Sequence, residues 1–582
     1  MSLQSLRQIL SIPSTSIQLC LIGLAGGLMA ATVVVVFRAL IGLWQYSLIG
    51  NVGSYIETSD WNRLVLPIFA AFIIFFVARL TGFKHYRMGI PFVIHRLKIY
   101  YGHIPLRNSI NQFIGGVLAL GSGFVVGKEG PTVHLAAATS HYLGRWLHLP
   151  FNSLRILAGC GIAGGIAAAF NTPFAAIIFV MEVVLREYKV HIFIPVMLAA
   201  AVGSMVTRAV FGNVTELGFL SFEPISGVQL VYLIVFGICI GTAAALFNSQ
   251  LMLLMRLFRR VGMFYRLILA GTVTGIMGYF FPESLGAEFI SVDNLLSSDY
   301  AFSFLVYLFI AKFVLAIIAI SLGIPGGIIG AVMVIGMLLG VILFEPLRGF
   351  YDTNLTTTYA LLGLAGFLAS VLHAPMAALS ASMELAADSH VILPAIIVIV
   401  SAFLTSKQIF NNRSIFIRQL EYQGLPYTTS PIRDLLQQTG VLAAMNTKFK
   451  LVVSQEDDEL KSLLQAEPNT IVLHQASKDV QKYKWMNLDY GLQTKEQTLS
   501  SQDVHLLTQQ HTMADVHDAL QDRRQGAVVI LDLTVSSRDE RQYMNIHELP
   551  EDLLQNTNLA SSRVVGVITW NMLHSYLLRR QH

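Results

Sequence analysis

Charge is scarce in this sequence. Asp, Glu, Lys and Arg make up 13% of its 582 residues, about half the share of a soluble globular domain. That deficit excludes an ordinary water-soluble enzyme as a description of the whole chain. Cysteine is nearly absent: Cys20, Cys160 and Cys239 all fall in apolar segments, which leaves no disulfide framework and no clustered thiol spacing. Catalytic signatures are missing as well. There is no GxxxxGK[ST] phosphate loop, no Ser/His/Asp order and no metal-ligand spacing. His191, His373 and His390 are scattered near apolar segments and read as packing or interface residues. The expectation is no enzyme, no resident metal or cofactor and no nucleic-acid partner. Deep acids are also few. That argues against a divalent-cation transporter, which needs several intramembrane carboxylates grouped as oxygen ligands. A cleavable leader is not evident: Met1 to Thr15 is short, carries Arg7, and runs into the apolar stretch Ile17–Val36 without a small-residue cleavage site.

What the sequence does have is apolar surface, 54% of its residues, and an uneven division of its few charges. Residues 431–582 hold 15 Lys+Arg and 19 Asp+Glu, leaving 24 and 16 to the 430 residues before them. Two physical regimes share the chain: a sparsely charged, net positive membrane body and a soluble, net acidic C-terminal domain. Apolar runs recur through the body, with Ile17–Val36 as the first membrane helix and clear examples at Leu64–Leu80, Val228–Phe247 and Phe304–Leu322. Others, such as Gly115–Val126, Ile156–Phe170 and Ile328–Leu343, are broken by Gly or Pro before the roughly 20 residues a span requires. Freed backbone groups at membrane depth are tolerated only where buried in protein or lining a cavity. The pattern predicts a transporter or channel core with discontinuous helices.

An internal repeat supports this. Residues 161–182 and 363–384 are identical at nine of 22 positions at a constant offset of 202, including Pro173/Pro375, Met181/Met383 and Glu182/Glu384. Gly123, Gly127 and Gly130 fall opposite Gly323, Gly327 and Gly330 at an offset of 200. Two homologous halves are expected, with a substrate site where they meet near the midplane. Two glycine-rich breaks, Gly121–Pro131 and Gly323–Gly330, each precede an apolar helical run. Glycine lets backbone approach a ligand, and the unpaired N–H groups of the next helix make an anion site without a full positive charge. The alternative is close helix packing only. Glu129 lies in the first break, where a carboxylate is either a displaceable gate in the anion's place or an N-terminal capping acid. Lys128 beside it is a partner for Glu129 or part of a positive entry path.

These residues carry a resemblance. Gly127-Lys128-Glu129-Gly130-Pro131 is similar to the GKEGP/GREGP motif of the CLC family of chloride channels and proton/chloride exchangers. Gly89-Ile90-Pro91, Gly326-Gly327-Ile328-Ile329 and Asn171-Thr-Pro-Phe-Ala-Ala resemble further motifs of that family, in the same order, over about residues 17–425. The resemblance implies an all-α polytopic membrane protein of two inverted repeats with broken helices, assembled as a homodimer in the lipid bilayer with one anion pathway per subunit. It implies a gating role for Glu129 and anion binding by Met88, Gly89, Ile90, Lys128, Gly130, Gly327, Ile328, Ile329 and Phe416, with chloride as the bound substrate. Three positions depart from the family pattern. Met88 stands where serine is usual and Phe416 where tyrosine is usual, so both hydroxyls are missing. A hydrogen bond to a charged group is worth roughly 1.5–3 kcal/mol, so weaker chloride binding through backbone amides is expected. Met88 also resembles the fluoride-transporting subgroup, although Pro131 does not. Val183 occupies the position of the exchangers' internal proton-accepting glutamate, and valine carries no proton. The expectation is anion transport that is channel-like or weakly proton-coupled, with a proton-coupled chloride antiporter and a fluoride-selective transporter as alternatives. Glu182 and Glu384 are expected to be structural.

Arg256, Arg259, Arg260 and Arg266 cluster in one loop, Arg413 and Arg418 follow the last span, and Arg7 precedes the first. The positive-inside rule then puts both termini in the cytoplasm, at the inner membrane in a bacterium. Leu451-Val-Val, Thr470-Ile-Val-Leu and Gly526–Leu531 read as strands, and Met513–Leu520 and Asn571–Leu578 as amphipathic helices. The ending Val564–Leu573 resembles that of a CBS domain, implying a small cytoplasmic α/β pair with an atypical first repeat and a loop inserted at Leu533–Ser562. Thr569 matches a hydroxyl that contacts an adenosine ribose, but Asn571 replaces the usual aspartate, which weakens the case for an adenine nucleotide; a structural dimerisation element is the other reading. The expected organisation is an N-terminal cytoplasmic segment (1–16), membrane repeat 1 (17–210), a linker (211–227), membrane repeat 2 (228–425) and the CBS-like pair (426–582).

Overall fold

The computed structural model describes residues 3–50, 55–83, 88–212, 222–225, 227–287, 301–348, 355–428, 430–453, 457–467, 470–477, 480–490, 497–521, 524–532 and 564–579. The expected insertion at Leu533–Ser562 and much of the 211–227 linker lie outside these residues. The chain divides into two compact units. One is Cys20–Leu143 with Ile156–Tyr427, and the other is Met1–Leu19, Gly144–Arg155 and Thr428–His582.

The helices of the first half are α1 (Leu3–Leu10), α2 (Ile17–Ile49), α3 (Asp60–Leu80), α4 (Gly89–Ile99), α5 (Leu106–Gly121), α6 (Glu129–Trp146), α7 (Phe151–Phe170), α8 (Pro173–Phe179) and α9 (Val190–Phe211). The second half has α10 (Gly227–Leu257), α11 (Met263–Phe280), α12 (Phe302–Leu322), α13 (Ile329–Phe344), α14 (Leu355–Leu372), α15 (Pro375–Ala386), α16 (Ile392–Leu404) and α17 (Ile415–Gln423). Ten helices among the described residues are long and apolar enough to cross a membrane. In lipid each must satisfy its own backbone, which is why the spans are helical.

The repeat is visible in the backbone. Gly123 and Gly323, 200 residues apart, both take left-handed φ values, +89° and +96°, and end α5 and α12 before the two glycine loops. Asn171 and His373, 202 residues apart, are both left-handed at φ 57°. Each is followed by a half-helix that opens on proline, α8 and α15. Pro suits a first helical turn because its missing N–H would have no intrahelical partner.

Small residues bring these helices together, as expected where lipid offers no hydrophobic drive for association. A Cβ on Gly164 would fall 2.8 Å from the Gly27 carbonyl, and one on Gly203 would collide with the Gly164 carbonyl. In the second half a Cβ on Gly336 would lie 2.9 Å from the Gly363 carbonyl. The glycines at these crossings are therefore packing residues.

The other unit contains two β-α-β-β runs. The first is β1 (Phe449–Val453), then α19 (Asp457–Ala466), β2 (Ile471–Ser477) and β3 (Val480–Tyr490), extended by β4 (Gln497–Asp503). The second is β5 (His505–Thr508), α20 (Met513–Leu520), β6 (Ala527–Leu531) and β7 (Val564–Thr569); α18 (Pro431–Leu436) precedes the first run and α21 (Trp570–Arg579) follows the second. In both, the strands flanking the helix pair in parallel and the next strand pairs antiparallel. The first run, atypical in sequence, thus has the same strand order as the second with β4 added at its edge, and β3 and β4 are strands that the sequence did not announce. Val528, Ile530 and Ile568 are buried with Leu507, Met513 and Leu573 in its core. Within this unit Gly144–Arg155 is held by hydrogen bonds from Phe151 N to Gln510 O (2.9 Å) and from Asn152 Nδ2 to Leu10 O (2.9 Å). Ser11 O accepts from Gly440 N at 2.9 Å.

Candidate functional site

The two glycine loops meet. Gly127 N donates to Gly327 O at 2.8 Å and Gly327 N donates to Gly127 O at 2.5 Å, a two-residue antiparallel bridge between the repeats. Close approach is what the glycines permit here: a Cβ on Gly130 would fall 2.6 Å from the Gly326 carbonyl. Behind the bridge, Gly115 and Gly116 of α5 seat a proline from each loop. A Cβ on Gly115 would lie 2.7 Å from Pro325 Cγ, and one on Gly116 2.9 Å from Pro131 Cγ.

Glu129 opens α6 and is 2% exposed. Its carboxylate lies at the crossing of the loops. A Cβ on Gly327 would come within 2.6 Å of Glu129 Oε2 and one on Gly330 within 3.0 Å of Oε1, while one on Gly127 would collide with Oε2. The carboxylate thus rests beside the start of α13, where the helix N-terminus attracts negative charge. The Lys128 ammonium lies 4.6 Å from the centre of the Phe170 ring.

A cavity of about 70 Å³ adjoins the loops, and Met88, Gly89, Ile90, Gly130, Gly327, Ile328 and Phe416 all line it. Lys128, Glu129 and Ile329 are not among its lining residues. The structure thus brings together residues from α4, both glycine loops and α17 that lie more than 300 positions apart. Gly89, named above among the anion-binding positions, lines the cavity, and its N–H donates to Gln112 Oε1 at 2.9 Å. The missed lining residues include Met255, Gln419 and Gln423. Polar residues inside apolar helices are the signal that would have pointed to Gln112.

A second cavity, about 280 Å³, is lined by Glu182, Val183, Arg186, His373, Arg413, Tyr427 and again Phe416. Phe416, 2% exposed, therefore borders both spaces. Val183 presents only methyl groups to the larger one. Glu182 accepts from Met376 N (3.2 Å) and Ala377 N (2.6 Å) at the start of α15. Glu384 accepts from Phe174 N (3.1 Å) and Ala175 N (2.8 Å) at the start of α8. Each repeat thus caps the other's half-helix.

In the other unit, Thr569 ends β7 and its hydroxyl accepts from Met572 N at 3.4 Å, capping α21; Asn571 is exposed on that helix. No group of three or more His, Cys, Asp or Glu that could hold a metal occurs among the described residues.

Comparison with known proteins places this geometry. Residues 68–407 match the model of a family described as voltage gated chloride channel. An H(+)/Cl(−) exchange transporter ClcA from Citrobacter koseri is 26% identical over 413 residues, 65% of this chain and 85% of that protein. Among solved structures, a slow cyanobacterial Cl−/H+ antiporter is similar at TM-score 0.60 and 20% identity, over 70% of this chain and 99% of the other. A eukaryotic CLC transporter is similar over 98% of both chains, at TM-score 0.57 and 18% identity. The polytopic helical body of two inverted repeats has the fold of these proteins, and this chain adds a small α/β C-terminal region to it.

Proposed function

Because the chain belongs to the voltage gated chloride channel family, we propose that its membrane unit carries chloride or another small anion along a path between the two glycine loops, with Glu129 as the gate. One observation carries this reading: the Glu129 carboxylate is wedged where the loops of the two repeats cross, beside the N-terminus of α13. An anion seeking those helix amides must displace it. Protonation, or a swing of the side chain, removes the competing charge and opens the path. Beyond the loops the anion meets a cavity whose side chains at Met88 and Phe416 are apolar, so no hydroxyl meets it there and backbone amides such as that of Ile328 contribute to its stabilisation.

Transport is channel-like or weakly coupled to protons. The support is Val183, which lines the larger cavity at the place of a proton-accepting carboxylate and cannot titrate. A proton-coupled antiporter is the second reading, favoured by the names of the similar proteins. Fluoride selectivity is a third, favoured by Met88. Assembly as a homodimer, cytoplasmic termini and the domain limits given above complete the proposal. In the C-terminal region the Thr569 hydroxyl already caps α21, which favours a structural role over nucleotide binding.

The test is a liposome experiment. Purified protein is reconstituted with a chloride gradient and valinomycin, and chloride efflux and external pH are recorded together. Efflux without proton uptake is expected. Proton uptake driven by chloride would replace the channel-like reading with the antiporter. Glu129→Gln should mimic the protonated state and remove the pH dependence of efflux; a variant with the wild-type pH response would remove Glu129 from the gate.

A further inference from the structure

Gln112 is a fully buried carboxamide in the middle of an apolar helix, α5. Its Oε1 accepts from Gly89 N at 2.9 Å. That bond fixes the orientation of the amide, because only the oxygen can face an N–H donor. The nitrogen of the same group is therefore committed as well. Nε2 is buried, and it has no hydrogen-bond partner among the described residues. Two N–H donors are thus kept dry and unused, a costly arrangement that native proteins rarely keep without a ligand.

The position of this amide gives it meaning. Gly89 lines the 70 Å³ cavity, and it does so with a left-handed φ of +69° at the first residue of α4. Met88, its N-cap, makes no side-chain cap hydrogen bond. Gly326 O lies 4.0 Å from where a Gly89 Cβ would be, so this helix start faces the second glycine loop. In a primary carboxamide the nitrogen is about 2.3 Å from the oxygen by covalent geometry, so Nε2 lies within about 5 Å of Gly89 N, one layer behind the lining, to which Gln112 itself does not belong. Of the lining side chains, Met88 and Phe416 have no donor to give, while Gln419 and Gln423 are carboxamides of the α17 side of the wall.

We propose that the Gln112 carboxamide is a side-chain determinant of anion binding in this pathway, acting from behind Gly89. Its oxygen holds the Gly89 amide and sets the left-handed start of α4, and its free N–H groups donate to the anion in the cavity. This rests on the anion-pathway reading above and adds a residue to it. Gln112 is neutral, so it offers directional donors without the long-range pull of an ammonium. Such a site ranks anions by how well they accept hydrogen bonds.

The test is calorimetric titration of chloride and of fluoride into the full-length protein in detergent, for wild type, Gln112→Met and Gln112→Glu, with melting temperature and liposome efflux alongside. Gln112→Met removes both acceptor and donors at similar volume. Gln112→Glu keeps an oxygen for Gly89 and removes the donors. One lost donor to an anion corresponds to about a tenfold to hundredfold weaker binding. That loss is expected for Gln112→Met, and chloride binding should vanish in Gln112→Glu although it remains folded. Wild-type affinity and an unchanged chloride-to-fluoride ratio in Gln112→Met overturn the proposal, even if its melting temperature falls, because the role is then structural. Should Gln112→Met fail to fold, Gln112→Glu decides: binding like wild type overturns the proposal and lost binding upholds it. If wild-type protein neither binds nor carries either anion, the pathway reading itself fails and takes this inference with it.

Discussion

Replacing Glu182 with alanine should loosen the contact between the two repeats without touching the anion path. Its carboxylate bonds the amides of Met376 and Ala377 at 3.2 and 2.6 Å, and Glu384 mirrors it on Phe174 and Ala175. Both half-helices open on proline, so these amides are the first ones left without an intrahelical acceptor. In lipid no water replaces a lost partner. A hydrogen bond to a charged group is worth about 1.5–3 kcal/mol, and an orphaned buried N–H costs about 1–3 kcal/mol. With one of the two amides at an exposed position, the loss for Glu182→Ala comes to about 2–4 kcal/mol. Glu182→Gln keeps one carbonyl oxygen and should lose about half as much. Glu384→Ala should cost a similar amount, and the double variant should cost less than the two together, since both braces hold the same α8–α15 contact. The assay is thermal unfolding in one detergent, paired with the chloride and proton flux measurement. A wild-type melting temperature in Glu182→Ala would refute the bracing argument. A changed proton-to-chloride ratio with unchanged stability would make Glu182 a proton relay instead.

Three further outcomes can be checked. Gly327→Ala places a methyl 2.5 Å from Gly130 N and 2.6 Å from Glu129 Oε2, so it should spread the loop crossing and abolish chloride binding by calorimetry; retained binding would mean the crossing is not the site. Phe416→Tyr restores a hydroxyl to a residue that borders both cavities, and chloride should bind about tenfold more tightly; an unchanged affinity would deny that the site is poor in side-chain donors. His148 is held below its usual 6.5 by burial first, then by the charges of Arg7 and Arg145. Protonation is thus easier in the unfolded chain, and the stability that neutral His148 lends above pH about 6.5 drains away as pH falls further. His148→Asn, which tolerates the left-handed backbone there, should lessen the loss of melting temperature between pH 7.5 and 5.5; an identical loss would clear His148 of the effect.

Much of the fold is legible because its determinants are local. The charge deficit separates the membrane body from the C-terminal region, and glycine and proline mark where helices break. Gly123 and Gly323 end their helices in the left-handed region because only glycine enters it freely. The strands β1, β2 and β6 show as β-branched runs. The edge pair β3–β4 does not, because its residues are mostly polar and its register, from Lys484 opposite Asp503 to Tyr490 opposite Gln497, is set by pairing rather than by an apolar face. The site was legible as motifs and not as geometry. Met88, Ile328 and Phe416 could be named from sequence, but nothing in it says that Phe416 borders two cavities.

The sequence by itself determined the medium, the positions of the helix breaks, the duplication, and which side chains at the site lack a hydroxyl or a carboxylate. These follow from composition and from steric rules that act within a few residues. Only the tertiary structure decided who meets whom: Gly127 with Gly327, Gln112 with Gly89, Glu182 with α15 and Glu384 with α8. Each partner is 23 to 210 positions away. Buried polar groups must find partners, and which ones lie within 3 Å is fixed by the crossings of helices that the chain builds far apart.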